Sequence, residues 1–257
     1  MARLEYKYLV RYEHLERFRS MITPFLDRDV YASNGDIPEY SVRSIYFDTP
    51  TLRYYEEKME GIDVRKKLRI RGYNGGGKNP EVFLEIKRKN IQTVWKNRAP
   101  LYHKKVEDLL QTGDVDSFII TDNGIANAAD NARRFLFHVY QHALQPLVLV
   151  TYEREAYTGR FNRDFRLTID KNLRSAIYPE IRDLFSEKHM VRCIPHHFVV
   201  EVKFKNRMPN WIHSILGTFS VRRRAVSKYC IGLEAHKKVE KHFTKHAVRA
   251  CAPAVHK

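Results

Sequence analysis

Along the chain, short runs rich in β-branched and aromatic residues alternate between apolar and charged positions, the period-two mark of a strand with one buried face. Seven such runs are read as strands: 4–10, 42–47, 65–73, 82–89, 147–157, 161–170 and 198–205. Asn74-Gly75-Gly76-Gly77 with Asn79-Pro80 marks a loose hairpin between the third and fourth, and Thr158-Gly159 a tight one between the fifth and sixth. Hairpin order of this kind predicts an antiparallel sheet. Helical spacing occurs at 14–26, 50–59, 106–110, 132–142 and 209–216, with Pro50 and Pro209 suited to a first helical turn.

Splitting the strands by face separates a greasy row from a charged one. Arg65, Lys67, Arg69 and Arg71 oppose Leu68 and Ile70; Glu85, Lys87 and Lys89 oppose Leu84 and Ile86; Arg166, Thr168 and Asp170 oppose Leu167 and Ile169. Glu201, Lys203 and Lys205 oppose Val200 and Val202, while Glu5 and Lys7 oppose Tyr6, Tyr8 and Val10. A solvated outer face also carries a polar row. These rows differ from that pattern: their arginines are closely spaced, and Glu-x-Lys recurs at Glu5-Tyr6-Lys7, Glu85-Ile86-Lys87 and Glu201-Val202-Lys203. With helices covering the apolar side, an antiparallel sheet of about eight strands can curl shut with its charged rows inward. The expected fold class is α+β, a closed antiparallel β-barrel forming a tunnel with helices packed outside.

Composition narrows the partner. A chain of 257 residues with 46 Lys and Arg against 30 Asp and Glu carries a formal charge of +16, which points to a polyanion: nucleic acid, an anionic membrane, a nucleotide or an inorganic phosphate chain. Apolar residues at 43% and aromatics at 12% exclude intrinsic disorder. No apolar stretch approaches the roughly 20 residues a bilayer requires, and Arg3, Glu5 and Lys7 near the start argue against a secretory signal. Cys193, Cys230 and Cys251 are scattered and odd in number, which disfavours a disulfide framework or a zinc site and makes a reducing, cytoplasmic compartment the expectation. From Val106 to Ala132 there is no Lys or Arg but six acidic residues. This stretch is read as part of a helical insertion at 103–145 within a domain spanning 1–235, and 236–257 as a basic C-terminal helix and tail.

Closely spaced Arg and Lys attract phosphate oxygens, and one Arg can bind two at once. Carboxylates interrupting such rows, here Glu5, Glu85 and Glu201, can hold a hard divalent cation against phosphate, or simply pair with neighbouring bases. Asp48 and Asp170 are read as strand ends or turn caps rather than metal ligands. His196 and His197 are adjacent in a strand and face opposite ways, so they do not form a ligand pair. Arg222-Arg223-Arg224 is read as a wet surface run or a guide for a polyanion. Nucleic acid is not the expected partner, because the arginines alternate with core aliphatics instead of stacking aromatics.

Taken in order, Glu5-x-Lys7-Tyr8-Leu9-Val10, Ser44-Ile45-Tyr46-Phe47-Asp48-Thr49, Lys67-Leu68-Arg69-Ile70-Arg71-x-Tyr73, Phe83-Leu84-Glu85-Ile86-Lys87, Tyr152-x-Arg154-x-Ala156, Arg166-Leu167-Thr168-Ile169-Asp170, Val200-Glu201-Val202-Lys203-Phe204 and Ser227-Lys228-Tyr229 resemble the triphosphate tunnel metalloenzyme superfamily. The resemblance is closest to its branch containing the catalytic domain of the vacuolar transporter chaperone, a polyphosphate polymerase. It implies that Lys7, Arg69, Arg71, Lys87, Arg154 and Arg166 grip a nucleotide triphosphate or the growing chain, with Tyr152 beside them and Lys203 in the same substrate-binding row. It implies further that Glu201 binds manganese or magnesium, and that Ser227 and Lys228 stand near the transferring phosphate. Arg3 occupies the place of the superfamily's first glutamate, which favours the polymerase branch over a two-metal triphosphatase. The implied activity transfers a phosphoryl group from ATP to inorganic pyrophosphate or polyphosphate. The alternatives are a metal-dependent triphosphatase with water as acceptor and a non-catalytic polyphosphate or RNA binder. The chain is expected to be a free-standing catalytic domain without the sensing domain and membrane helices of the eukaryotic complex. A peripheral position at the inner face of a membrane, a membrane-protein partner and the oligomeric state stay open.

Overall fold

A computed structural model describes residues 3–29, 39–90 and 93–236. Its strands are β1 (Arg3–Arg11), β2 (Leu26–Arg28), β3 (Glu39–Asp48), β4 (Val64–Tyr73), β5 (Glu81–Asn90), β6 (Thr93–Tyr102), β7 (Gln145–Gly159), β8 (Arg166–Ile177), β9 (Val191–Arg192) and β10 (His197–Lys205). Its helices are α1 (Leu15–Ile22), α2 (Arg53–Met59), α3 (Val106–Thr112), α4 (Val115–Phe118), α5 (Ala128–Gln141), α6 (Asn210–Thr218) and α7 (Lys228–Glu234). None of these helices is long and apolar enough to cross a membrane. The tail 237–257, with Cys251, lies outside the described residues.

The strands form one antiparallel sheet in the order β1-β10-β8-β7-β3-β4-β5-β6, with β2 added on β7 and β9 on β8. Alternation sorts the side chains. On the outer face of β1, β8 and β10, Val10, Leu167, Ile169, Val200 and Val202 pack with Phe18 of α1 and Ile212, Ile215 and Leu216 of α6. On the outer face of β3 to β6, Ile45, Leu68, Ile70, Leu84, Ile86 and Leu101 pack with Val106 and Leu109 of α3 and with Ala132, Phe135 and Leu136 of α5. Each fully buried Leu or Phe in these layers contributes about 1.5–3 kcal/mol, so the helices hold the apolar rows outward and the charged rows are left for the concave side.

Several expectations are corrected. The sheet is strongly curled, but its ladder is not closed: among the described residues no backbone hydrogen bonds join β1 to β6. The gap is spanned by side chains and by the irregular segment 221–227. Arg224 N donates to Lys7 O of β1 (2.9 Å), Lys67 Nζ of β4 donates to Ser227 Oγ (2.8 Å), and Lys87 Nζ of β5 donates to Glu5 Oε2 of β1 (3.4 Å). The tight turn expected at Thr158-Gly159 is instead a loop over 160–165, with β8 running on to Ile177. An edge strand, β6, stands where no strand was read, and α7 was not read either. Pro50 lies ahead of α2, whose first residue is Arg53, and Pro209 is the residue before α6 rather than in its first turn. Asp48 does cap a turn, accepting from the backbone N–H groups of Thr49, Tyr54 and Tyr55, whereas Asp170 lies within β8 and points into the concavity.

The continuation of β8 past Asp170 turns on a bulge. The β7 pairing shifts register between Thr151 and Glu153, and Asn172 takes up the extra residue at φ 51°, a conformation that Asn tolerates. The bulge changes which parity faces inward: Thr168 and Asp170 point inward before it, Leu173 and Ser175 after it, where they meet α7.

Candidate functional site

The helix α7 lies inside the curled sheet and forms the floor of its lumen. It reaches the sheet closely because of Gly232: a Cβ there would sit 2.8 Å from Val150 Cγ2 and 3.3 Å from Ser175 Cβ. Ser175 Oγ donates to Gly232 O (2.7 Å), Tyr229 donates to Asp48, and Tyr55 donates to Glu234 (3.0 Å). Ser227 caps the helix, its Oγ accepting from Cys230 N (3.3 Å). Tyr46, Val148, Val150, Tyr152 and Leu173 close around Tyr229, Cys230 and Leu233. One end of the lumen is therefore apolar and filled, and charge is confined to the space above it.

Three groups of side chains line that space. Between β1 and β10, Lys7 lies 3.0 Å from Glu5 and 3.6 Å from Glu201, and Lys203 lies 2.5 Å from Glu201. Above α7, Arg154 grips Asp170 through Nε (2.6 Å) and Nη2 (2.8 Å), while Lys228 Nζ reaches the same carboxylate at 2.5 Å. Lys228 and Arg154 lie over the Tyr152 ring, 4.7 and 5.2 Å from its centroid, a cation–π arrangement. On the facing wall Glu85 of β5 is surrounded by bases. Arg69 donates to it through Nε (2.8 Å) and Nη2 (2.6 Å), Lys96 and Arg98 of β6 stand at 2.7 and 3.1 Å, and Arg71 stands at 4.0 Å. Arg71 also donates to Ser44 (3.0 Å) and to Tyr152 (3.4 Å), and Arg69 donates to Tyr46 (3.0 Å).

Burial alone would push the carboxylates toward the neutral form, but the surrounding cations prevail. Glu5 is lowered to about 2, chiefly by Lys7. Glu85 is held below the ordinary carboxylate range by Arg69, Arg71 and Lys96, and Glu201 well below it by Lys7, Lys203 and Lys228. Lys67 lacks such a partner: no carboxylate pairs with it among the described residues, and burial, with Lys7 and Lys87 nearby, lowers it to about 8. Tyr46, although buried, is drawn down to about 7 by Arg69, Arg71 and Lys67. The lumen thus holds a surplus of positive charge that its own carboxylates do not neutralise.

Of the residues marked in the sequence, Lys7, Arg69, Arg71, Tyr152, Arg154, Lys203, Ser227, Lys228, Glu5, Glu85 and Glu201 converge here, with Lys87 at the rim, its side chain 40% exposed. Arg166 is different: its side chain is 45% exposed and paired with Asp29. Five lumen residues carried no assignment. Lys67 stood unassigned in the arginine row, Lys96 and Arg98 went with the unread strand, Asp170 was taken for a strand end, and Tyr46 alternates on β3 with the outward Ile45 and Phe47. Glu85, ringed by Arg69, Arg71, Lys96 and Arg98, organises the basic wall; Glu5 and Glu201 meet lysines instead, Glu5 with its side chain 27% exposed and Glu201 buried. No group of three or more His, Cys, Asp or Glu residues that could hold a metal ion occurs among the described residues. The ionised, hard oxygens of Glu201 and Glu5 fit a divalent cation that takes its remaining ligands from phosphate and water, and do not fit a cage made by protein alone.

Comparison with known proteins adds the family. No curated protein matches the chain significantly in sequence. Among solved structures, the capping-enzyme triphosphatase of Mimivirus, from a monoclinic crystal, aligns over 84% of this chain and 88% of its own, at 11% identity and a TM-score of 0.33. That likeness is too distant to carry an argument. The sequence model of the VTC domain matches residues 2–237. With that match spanning nearly the whole chain and every described element, this protein belongs to the VTC domain family.

Proposed function

We propose that the lumen above α7 is the active site of a metal-dependent phosphotransferase that extends inorganic polyphosphate with the γ-phosphoryl group of ATP. Family membership supports a triphosphate- or polyphosphate-handling activity, and the single observation that carries the finer reading is the uncompensated cationic lumen. Among the described residues Lys67 has Ser227 as its one polar partner, and Arg71 comes no nearer to a carboxylate than 4.0 Å, so a chain of phosphates would complete the neutralisation that these residues leave unfinished. Phosphoryl transfer asks for alignment and charge neutralisation more than for covalent chemistry. A terminal oxygen of the acceptor chain attacks the γ-phosphorus, the bond from that phosphorus to the β,γ-bridging oxygen breaks, and ADP leaves with the bond's electrons. The acceptor oxygen is already ionised and needs no general base. Arg69, Arg71, Lys67 and Lys87 hold phosphate oxygens along β4 and β5. Lys228 and Arg154, fixed by Asp170 and Tyr152, steady the charge that develops near Ser227, while Lys7 and Lys203 hold Glu201 ionised. When bound at Glu201 and Glu5, manganese or magnesium would neutralise charge on the phosphates. Arg166 is read as a rim contact for the chain. Incubation with ATP and manganese followed by gel sizing of the phosphate products tests this: long chains are expected, and release of orthophosphate alone would replace the polymerase with a triphosphatase.

A further inference from the structure

The outer side of the β5–β6 edge carries a second concentration of positive charge that the lumen does not use. Arg88, next in the outward row after Ile86, lies where the cover of α5 ends, and a cavity of about 420 Å³ opens between it and α5. The polar lining comprises Arg88, Asn97, Arg133, Arg134 and His138, with Phe137 forming an apolar side, and it includes no carboxylate. Two of its donors or acceptors are unsatisfied: Arg88 Nε and His138 Nδ1 are buried without a hydrogen-bond partner among the described residues. Arg88 Nη2 donates to Asn97 Oδ1 (3.2 Å), which aligns the guanidinium but leaves Nε unused. Arg133 is held by Asp116 (2.7 Å) and Asp130 (3.2 Å), whereas Arg134 makes no ion pair among the described residues. An orphaned buried N–H beside a guanidinium without an ion pair and an imidazole whose Nδ1 is unpartnered is a polar set lacking its ligand.

We propose that this cavity is a second anion site, taking a phosphate group or a short inorganic phosphate chain on the outside of the wall whose inside lines the lumen. The inference goes beyond the activity proposed above and does not rest on it, since the side chains involved face away from the lumen. The fork of Arg88 and the free guanidinium of Arg134 supply bidentate contacts to phosphate oxygens, and His138 supplies a third. Burial lowers His138 to about 4, with further lowering from Lys66, His142 and Arg88, and its ring stacks against His142 at 5.8 Å and 12°. A bound phosphate would oppose those cations and favour the protonated ring, which makes His138 a built-in reporter.

The test follows the ring resonances of His138 by NMR in the full chain, assigned with His138→Gln, through pH titrations with tripolyphosphate, orthophosphate or potassium chloride at matched ionic strength. The expected result is an upward move of the His138 midpoint by at least one pH unit with a phosphate ligand and not with chloride. A response to orthophosphate identifies a single-phosphate site, and a response to tripolyphosphate alone a chain site. Arg134→Ser, at an exposed position that does not threaten folding, should weaken the response at least threefold, and Arg88→Met should abolish it. Arg71→Ser, on the lumen side, should leave it intact even where lumen binding is lost. An unmoved midpoint at saturating tripolyphosphate and orthophosphate, or a shift that survives the Arg88→Met/Arg134→Ser double variant, would overturn the proposal.

Discussion

Glu85→Gln is the change that most directly tests the idea of a lumen built with surplus positive charge. The substitution keeps the shape of the side chain and removes one charge from a residue that is 1% exposed and touches Arg69, Lys96 and Arg98 within 3.1 Å and Arg71 at 4.0 Å. Even at an effective dielectric of 20, a unit pair at 4 Å is worth about 4 kcal/mol before solvation is counted. The lower cost of burying an amide offsets part of this, and removing one partner of a buried ion pair typically leaves a net loss of about 3–5 kcal/mol. At roughly 2–4 °C per kcal/mol for a domain of this size, the melting temperature should fall by about 6–20 °C. Tripolyphosphate should then restore more than it adds to the wild type, because Arg69 and Arg71 would regain from the ligand the counter-charge they lost from the protein. At a hundredfold excess over its Kd any ligand adds about 2.7 kcal/mol, so the variant's larger gain must appear as tighter binding. The assay is a pair of thermal melts at low ionic strength, with and without tripolyphosphate, together with calorimetric affinities. A loss of under about 1 kcal/mol in the free protein would show that Glu85 does not neutralise the wall. Equal affinity for tripolyphosphate in both proteins would show that the ligand does not lie against Arg69 and Arg71.

Further outcomes follow from the same geometry. Glu201→Gln should lower phosphoryl transfer by roughly 10²-fold or more, the scale for losing one group that stabilises developing charge, while tripolyphosphate still binds; unchanged turnover in a radiolabelled ATP assay would remove Glu201 from the active site. Lys67, at about 8 against its ordinary 10.5, has lost its proton in the folded state between those values while the unfolded chain keeps it, so its contribution to stability rises with pH across that window. A bound polyanion reverses this by favouring the ammonium, and it favours the protonated phenol of Tyr46, which titrates near 7. Tripolyphosphate affinity should therefore fall from pH 7 to 9 with proton uptake, measurable by calorimetry in two buffers of different ionisation heat; if Lys67→Met takes up as many protons as the wild type, Lys67 is not the group responsible. Gly232→Ala tests the floor. Helix propensity alone would stabilise by about 1 kcal/mol, but the new methyl meets Val150 at 2.8 Å and Ser175 at 3.3 Å, so overpacking should win and cost about 1–3 kcal/mol in chemical denaturation.

What alternation could reveal, and what it could not, follows from how each element is used. β1, β4, β5 and β10 each bury one face under helices and turn the other to the lumen, so their two rows differ in composition and can be read from sequence. β6 hides its signal because β5 is its one partner among the described strands: beyond it Pro100 and Leu101 meet Ile119 and Ile120, where Pro100 O accepts from Ile120 N (3.0 Å) and no N–H is needed from Pro100, and Asn97 breaks the apolar row. With the strand went Lys96 and Arg98, half of the cationic shell around Glu85. α7 fails for the opposite reason. Lys228, Tyr229, Cys230, Gly232 and Leu233 are all buried, and a helix enclosed on nearly every side shows no polar stripe for a 3.6-residue period to detect. Asp170 was misread as a strand end because the bulge at Asn172 reverses the inward parity just beyond it, and strict alternation stops where the strand in fact continues.

Face and partner are therefore separate questions. Alternation names the residues that look into the lumen, but Glu5 meets Lys87 across an open ladder and Lys228 meets Asp170 from a helix held inside the curled sheet. Neither pairing has any signature in local spacing, since each depends on how far the sheet curls and on the close approach that Gly232 permits. The carboxylates differ in what they hold in consequence: Glu85 organises arginines and Asp170 fixes Arg154 and Lys228, whereas Glu201 and Glu5 meet only the more mobile lysines, which is why the proposed function puts the cation there.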